Sequence, residues 1–169
     1  MGYPIYGDPT SFEEIYDKFL GKITDDMYME WTKEDTEQDL KNILMDAIPG
    51  FEFPRFPLYD YDEYAEEFNI HLTPEEINIL ALLMYNTWLQ RQVASIEHTR
   101  MKYSGTDFKM TSQANHLAKL LELKKEAERQ AHHMQRLYKR RRLIDNEGSI
   151  KSNWSTLMEN SALDGQVWY

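Results

Sequence analysis

Two long helical patterns, joined by a short polar turn, occupy residues 74–142 and constrain the fold more than any other stretch. Between positions 77 and 88 the first pattern is apolar almost all the way round, which predicts a helix buried in the core. The second pattern starts amphipathic and ends as a basic rod. A membrane span needs about 20 consecutive apolar residues, and the first pattern falls well short of that length. We therefore expect a soluble protein.

Start signals for helices divide the chain further. Ser11 stands three residues before Glu14, which is the spacing of a capping box. Thr32 precedes a first turn rich in acids, which suit the positive end of a helix dipole. Thr73 is followed by Pro74, and proline is favoured at the first helical position. Each of these three positions is therefore predicted to begin a helix.

The second long pattern repeats apolar and small residues in alternating steps of three and four. Such a repeat is typical of a helix with one face packed along another helix. The lysine within it is a mismatch, so we expect a polar partner or water beside that position. The repeat comprises Leu117, Leu120, Lys124, Ala127, Ala131, Met134 and Tyr138.

These patterns together predict an all-α fold, in which a small helical bundle contains a long C-terminal helix. We expect an N-terminal arm at residues 1–10, one helical domain at 11–142 and an extended C-terminal docking tail at 143–169. The segment 51–64 interrupts the helical pattern with prolines, so a loop or a short strand is expected there.

The aromatic segment 51–64 holds three phenylalanines, three tyrosines and two prolines. We expect its rings to pack against a neighbouring subunit. Its acids Asp60, Asp62 and Glu63 resemble the start of a calcium loop, but the central glycine and the closing glutamate of such a loop are missing. We therefore expect no calcium there. The rings assigned to an inter-subunit contact are Phe51, Phe53, Phe56, Tyr59 and Tyr61.

The C-terminal segment keeps more large apolar side chains than a disordered tail usually does. Trp154, Leu157 and Met158 follow the i, i+3, i+4 spacing of a short docking helix. Trp168 and Tyr169 add two further rings at the end of the chain. Two interpretations stay open, because the segment either folds back on its own domain or docks on a partner, where tryptophans are favoured.

The net charge of −10 conceals an uneven distribution. Residues 1–72 carry 18 acidic and 5 basic side chains, whereas residues 119–142 carry 3 acidic and 9 basic ones. Two surfaces of opposite sign are therefore expected. The basic strip either contacts phosphates without reading bases or pairs with the acidic half of the next copy in a head-to-tail ring. It comprises Arg136, Lys139, Arg140, Arg141 and Arg142.

Motifs for catalysis and metal binding are missing from this sequence. The chain has no Glu-x-x-His pair of the di-iron bundles, no His-Glu-x-x-His zinc motif and no phosphate-binding glycine loop. It also lacks the Gly-x-Ser-x-Gly nucleophile motif. With no cysteine, thiolate ligands and disulfides are excluded. We expect no enzymatic activity, no metal and no cofactor.

The buried helix has a recognisable order of segments. A Pro-Glu-Glu start at 74–76 leads to an Ile-Leu-Ala-Leu-Leu patch at 79–83 and a Trp-Leu-Gln-Arg segment at 88–91. Two short acidic helices precede it, and a turn, a long helix and a tail follow. This layout, over roughly residues 11–140, resembles the small head–tail connector proteins of tailed bacteriophages, also called adaptor, neck or collar proteins. The aromatic insert at 51–64 is not a general feature of that family.

The resemblance implies a virion structural protein and no substrate turnover. It implies a homo-oligomeric ring of twelve copies that joins the portal protein to a downstream tail, stopper or collar protein. Such a ring extends the channel for double-stranded DNA, which it contacts without sequence specificity and without a membrane. The expected location is the virion neck, after synthesis in the host cytoplasm. The alternative is a helical nucleic-acid-binding subunit of phage packaging or regulation, which the basic strip suggests.

Overall fold

The computed structural model describes residues 8–23, 27–102, 110–139, 142–144 and 150–152. Over these residues the protein is mostly helical and carries a small antiparallel sheet. The helices are α1 (Phe12–Leu20), α2 (Met27–Glu30), α3 (Lys33–Ala47), α4 (Pro74–Lys102) and α5 (Met110–Lys139). The strands are β1 (Thr10–Ser11), β2 (Tyr61–Asp62), β3 (Glu67–Phe68), β4 (Arg142–Ile144) and β5 (Ile150–Ser152).

The predicted helix starts are confirmed, with one change of detail. Ser11 caps α1, but its hydroxyl accepts from the backbone N–H of Glu13. Thr32 caps α3 by accepting from the N–H of Asp35. The reciprocal capping box stands at α4, where the Glu76 carboxylate accepts from the N–H of Thr73 at 2.7 Å and Thr73 Oγ1 accepts from the N–H of Glu76 at 3.3 Å.

Helix α4 is the centre of the core, as its apolar pattern predicts. Every side chain from position 79 to position 84 is buried. Helices α1 and α3 contact α4, and α5 packs along it. Because neighbours lie on several sides, a helix with no polar face is stable only in this central position.

The expected all-α fold holds only in that the protein is mostly helical, because strands β1, β3 and β2 form an antiparallel sheet in that order. Strand β2 lies in the segment 51–64, where a loop or a short strand was expected. Phe68 pairs with Thr10 on one side and with Tyr61 on the other. The ring of Phe68 is completely buried and lies 4.9 Å from the ring of Phe12 in an edge-on contact. The sheet therefore closes one end of the core with aromatic side chains.

Helix α5 packs antiparallel along α4, and its predicted seam is confirmed. Leu117, Leu120, Ala127 and Ala131 are buried, while the positions between them are mostly exposed. The mismatched Lys124 pairs instead with Glu128 at 2.9 Å. Away from the main core, a second apolar cluster joins the two helices. Its buried members are Leu89, Val93, Leu117, Leu120 and Ala127.

The helix ends at Lys139, close to the predicted end near Arg142. Strands β4 and β5 then pair antiparallel, with Leu143 opposite Lys151. The segment predicted as an extended tail therefore begins with a hairpin. None of the described helices is both long enough and apolar enough to cross a membrane.

Candidate assembly surfaces

The C-terminal end of α5 anchors the loop that follows α3. Gln135 is only 2% exposed, and its side-chain amide is satisfied by that loop. Its Oε1 accepts from the backbone N–H of Glu52 at 2.7 Å, and its Nε2 donates to the carbonyl of Gly50 at 3.2 Å. A buried amide is tolerated only when such partners are present. Gln135 therefore ties α5 to the start of the aromatic segment.

A buried carboxylate provides a second tie. Glu76 is 2% exposed and accepts from the guanidinium of Arg55 at 3.1 Å. Its other oxygen accepts from the hydroxyl of Tyr138 at 2.6 Å. Burial raises the pKa of the Tyr138 phenol, and the neighbouring Glu76 raises it further. The carboxylate of Glu76, in the first turn of α4, therefore hydrogen-bonds both to the loop and to the end of α5.

The hydrogen bonds of Gln135 and Glu76 position the loop and therefore its aromatic residues. Phe51 is buried and packs edge-on against Tyr138, with ring centroids 5.6 Å apart. Phe56 and Tyr61 are half-buried against the protein's own core. Three of the five rings assigned to an inter-subunit contact therefore already pack within the same chain.

The other two rings face solvent. Phe53 is 42% exposed, and the ammonium group of Lys139 lies 4.0 Å from its ring centroid. Tyr59 is 77% exposed. A role for Phe53 and Tyr59 in a contact between subunits stays a prediction.

Residues 62–66 lead from the end of β2 to the start of β3 and form a mostly exposed turn, hereafter the acidic turn. Its Asp62 accepts from the backbone N–H groups of Tyr64 and Ala65 at 2.8 and 3.0 Å. These two hydrogen bonds, the one from Ala65 first, lower the pKa of the Asp62 carboxyl. Glu66 takes a left-handed backbone with φ of 53°. The acidic turn therefore has a defined conformation, and the ring of Tyr64 is fully exposed on it.

Helix α3 contacts the acidic turn through ion pairs of Lys41. Lys41 lies 3.6 Å from the carboxylate of Glu63 and 3.4 Å from that of Glu66. Of these two acids, only Glu63 belongs to the set that resembles the start of a calcium loop. The sequence signal for the observed turn is the aspartate two residues before Tyr64, because an aspartate side chain can accept from the backbone N–H two residues on.

The exposed side of α5 carries an open depression of about 680 Å³, hereafter the α5 groove. Arg129 pairs with Glu126, and His132 Nδ1 lies 3.2 Å from the Glu52 carboxylate. Within the described part of the chain, Arg136 has no ion-pair or hydrogen-bond partner. The lining residues are Glu52, Glu126, Arg129, Gln130, His132, His133 and Arg136.

Only part of the predicted basic strip is described. Arg136 and Lys139 are exposed on the last turns of α5. Arg142 begins β4, and its side chain is not described. Arg140 and Arg141 lie outside the described residues, as do all the residues assigned to portal or partner docking. Those docking residues are Trp154, Leu157, Met158, Trp168 and Tyr169.

A second polar depression, of about 310 Å³, lies along α3. Asp39 takes part in its lining and also accepts from the hydroxyl of Tyr28 at 2.8 Å. Arg91 of α4 pairs with Asp39 at 3.0 Å and with Asp46 at 2.9 Å. This depression therefore borders an ion-pair brace between α3 and α4, which the sequence did not suggest.

Among the described residues, no three histidine, aspartate or glutamate side chains are placed to share a metal ion. Comparisons of this chain with protein-family models, with curated proteins and with solved structures find no match.

Proposed function

We propose that this protein is a structural subunit of the neck of a tailed bacteriophage. Twelve copies form a ring that joins the portal to the tail and prolongs the channel through which DNA passes. The subunit binds other chains and turns over no substrate. The downstream neighbour is a tail, stopper or collar protein.

The observation that carries the proposal is the arrangement around α4. Acidic helices α1 and α3 pack on its buried half, and α5 runs back along it. This is the order of elements on which the resemblance to connector proteins rests. The described core and the α4–α5 pair supply a stable body from which loops and termini reach neighbouring chains.

The charge distribution supports a subunit that contacts both protein and DNA. The acidic half of the chain presents exposed carboxylates on α1, on α3 and on the acidic turn. A channel wall lined by carboxylates repels the DNA backbone and lets it slide without sticking. Basic residues gather instead at the end of α5, where they suit an acidic protein surface.

The α5 groove favours this function over a dedicated nucleic-acid-binding subunit. Glu52 and Glu126 stand among its basic side chains, where Glu126 pairs with Arg129 and the Glu52 carboxylate lies 3.2 Å from His132 Nδ1. A phosphate backbone laid along this face would meet those carboxylates, which raises the cost of binding. A protein partner can place charges of either sign and so match a mixed surface.

Portal binding tests the proposal directly. The purified chain is mixed with the portal protein encoded by the same genome, and molar masses are measured by light scattering after size exclusion. We expect a complex with twelve copies of the chain on one portal ring, visible by negative-stain electron microscopy. Two components that elute separately with unchanged masses would contradict the proposal.

A tail variant and a matched control sharpen this test. W154A together with W168A removes two of the rings assigned to portal docking and is expected to weaken portal binding at least tenfold. The control is W31A, which removes a half-exposed tryptophan at the start of α3. The control variant is expected to bind the portal like the unmodified chain.

A further inference from the structure

We propose that the acidic turn of one copy docks in the α5 groove of a second copy. The inference rests on the proposed function, because a ring requires one contact repeated between unlike surfaces. It adds the identity of those two surfaces. Glu63 and Tyr64 of the first copy meet Arg136 and His133 of the second.

The α5 groove has one cation available for a partner. Of its two carboxylates, that of Glu126 pairs with Arg129, and that of Glu52 lies 3.2 Å from His132 Nδ1. Arg136 has no partner among the described residues and is exposed at the groove. Lys139 follows one helical turn later, so positive charge increases towards the end of the helix. An incoming carboxylate is therefore the group that the groove lacks.

The acidic turn offers that carboxylate together with an aromatic ring. The side chain of Glu63 is 75% exposed, and Tyr64 beside it is fully exposed. A guanidinium group binds a carboxylate through paired hydrogen bonds and stacks on an aromatic face. The same chain uses such contacts near the groove, since Lys139 lies over Phe53 and Arg55 lies over Phe56. Glu63 and Tyr64 together match what Arg136 can bind.

The conformation of the acidic turn lowers the cost of docking. Asp62 accepts hydrogen bonds from the backbone N–H groups of Tyr64 and Ala65. Lys41 of α3 forms ion pairs with the carboxylates of Glu63 and Glu66. A loop that is ordered before binding loses less conformational entropy when it binds. An exposed tyrosine on an ordered turn is also the residue type that interfaces favour.

The two surfaces belong to different parts of the subunit. Ion pairs connect the acidic turn to α3, whereas the α5 groove lies between α5 and the loop at Glu52. A contact between unlike surfaces leaves one of each free on every pair of molecules. Further copies can therefore add until the ring closes.

Charge reversal on each surface separately provides the test. The turn variant carries E63K and Y64K, and the groove variant carries H133E and R136E; all four positions are exposed, so both variants are expected to fold. Each variant alone weakens its own contact, because the side chains proposed to meet, at positions 63 and 64 of the turn and 133 and 136 of the groove, are then both basic or both acidic. In an equal mixture, the lysines of the turn variant can meet the glutamates of the groove variant. The unmodified turn and the unmodified groove can also meet, so contacts between the two variants are attractive. Sedimentation velocity at low salt measures the association of each sample.

We expect the unmodified chain to associate at low salt and to dissociate as salt screens the charges. Each variant alone should associate at least tenfold more weakly, and the mixture should recover most of the loss. The control K33E changes an exposed charge on α3 away from both surfaces and should associate like the unmodified chain. An unmodified chain that stays monomeric, variants that associate normally, or a mixture without recovery would each overturn the inference.

Two further measurements distinguish this inference from DNA binding at the groove and from the proposed function. If the groove variant loses binding to a short DNA duplex but self-associates normally, the occupant is DNA and the inference fails. If both variants still enter the complex with the portal while association is unaffected, the inference fails and the proposed function stands. Failure of the unmodified chain to bind the portal removes the proposed function instead.

Discussion

The hydroxyl of Tyr138, next to the last residue of α5, donates a 2.6 Å hydrogen bond to the buried carboxylate of Glu76 in the first turn of α4. The same carboxylate pairs with Arg55 of the aromatic segment. One side chain therefore joins three segments that are distant in the sequence. Stability of this corner decides whether the end of α5 and the neighbouring α5 groove keep their shape.

The variant Y138F removes the hydroxyl and leaves the ring. One oxygen of the Glu76 carboxylate then stays buried without its donor, and a hydrogen bond to a charged group contributes about 1.5–3 kcal/mol. We expect the free energy of unfolding to fall by that amount in urea denaturation. The matched control is Y59F, since the Tyr59 side chain is mostly exposed, and it should change stability by less than about 0.5 kcal/mol. Equal stability of the two variants would contradict the role given to this hydrogen bond.

Alkaline pH should destabilise the protein through its buried phenols. Burial raises the pKa of Tyr138 and of Tyr16, with Glu76 and Glu66 as the respective next causes. A phenol with a pKa higher in the folded state than in the unfolded state holds its proton more tightly when folded. Its contribution to stability is therefore complete below the unfolded pKa of about 10 and declines as the pH rises above that value.

Thermal unfolding between pH 8 and pH 11 measures this effect. Y138F removes one of these two phenols with a raised pKa and should show a shallower fall in Tm above pH 10. Lysines also lose their charge in this range, so the comparison between variant and unmodified chain isolates the phenol. Identical slopes would show that Tyr138 ionises equally well in the folded and unfolded states.

The variant Q135L keeps a side chain of similar size but removes both hydrogen bonds to the loop. The N–H of Glu52 and the carbonyl of Gly50 then lose their partner, and each hydrogen bond of this kind contributes about 0.5–1.5 kcal/mol. We also expect faster hydrogen exchange of the Glu52 amide, a local readout that a general loss of packing would not single out. Q130L on the exposed side of the same helix is the control. A protected Glu52 amide in Q135L would argue against the proposed tie.

The two apolar clusters should respond differently to cavities. Leu80 and Leu89 are both completely buried, but Leu80 lies in the main core and Leu89 in the cluster between α4 and α5. L80A is expected to lower the free energy of unfolding by about 2–5 kcal/mol. L89A should mainly increase hydrogen exchange in the C-terminal half of α4, because the apolar cluster there is much smaller than the main core. L121A, at a half-exposed position, serves as the control; uniform exchange changes in L89A would mean that the two clusters unfold together.

Local patterns predicted the helices well. The capping residues Ser11, Thr32 and Thr73 act within a few positions of themselves, so their effect is readable without any knowledge of the fold. The apolar pattern of α4 and the seven-residue repeat of α5 likewise reflect which faces must avoid water. These features were predicted because each depends on spacing along one helix.

The small sheet could not be predicted in the same way. Its strands contain two residues each, too few to show an alternating pattern, and Thr10 meets Phe68 only because the chain returns to it. The placement of the aromatic segment was equally hidden. Whether Phe51 lies in the core or on the surface depends on Tyr138 and Gln135, which come from the far end of α5.

The amino-acid sequence by itself determined the helices, the burial of α4 and the separation of acidic from basic residues, because helix propensity, hydrophobic periodicity and charge are properties of neighbouring positions. The tertiary structure alone decided which carboxylate is buried against Arg55 and Tyr138 and which rings of the aromatic segment stay exposed. It also decided which cation of the α5 groove has no partner among the residues that the structure describes. Those outcomes depend on contacts between residues far apart in the chain, where the free energy of desolvating a group is settled by the partner that folding brings to it.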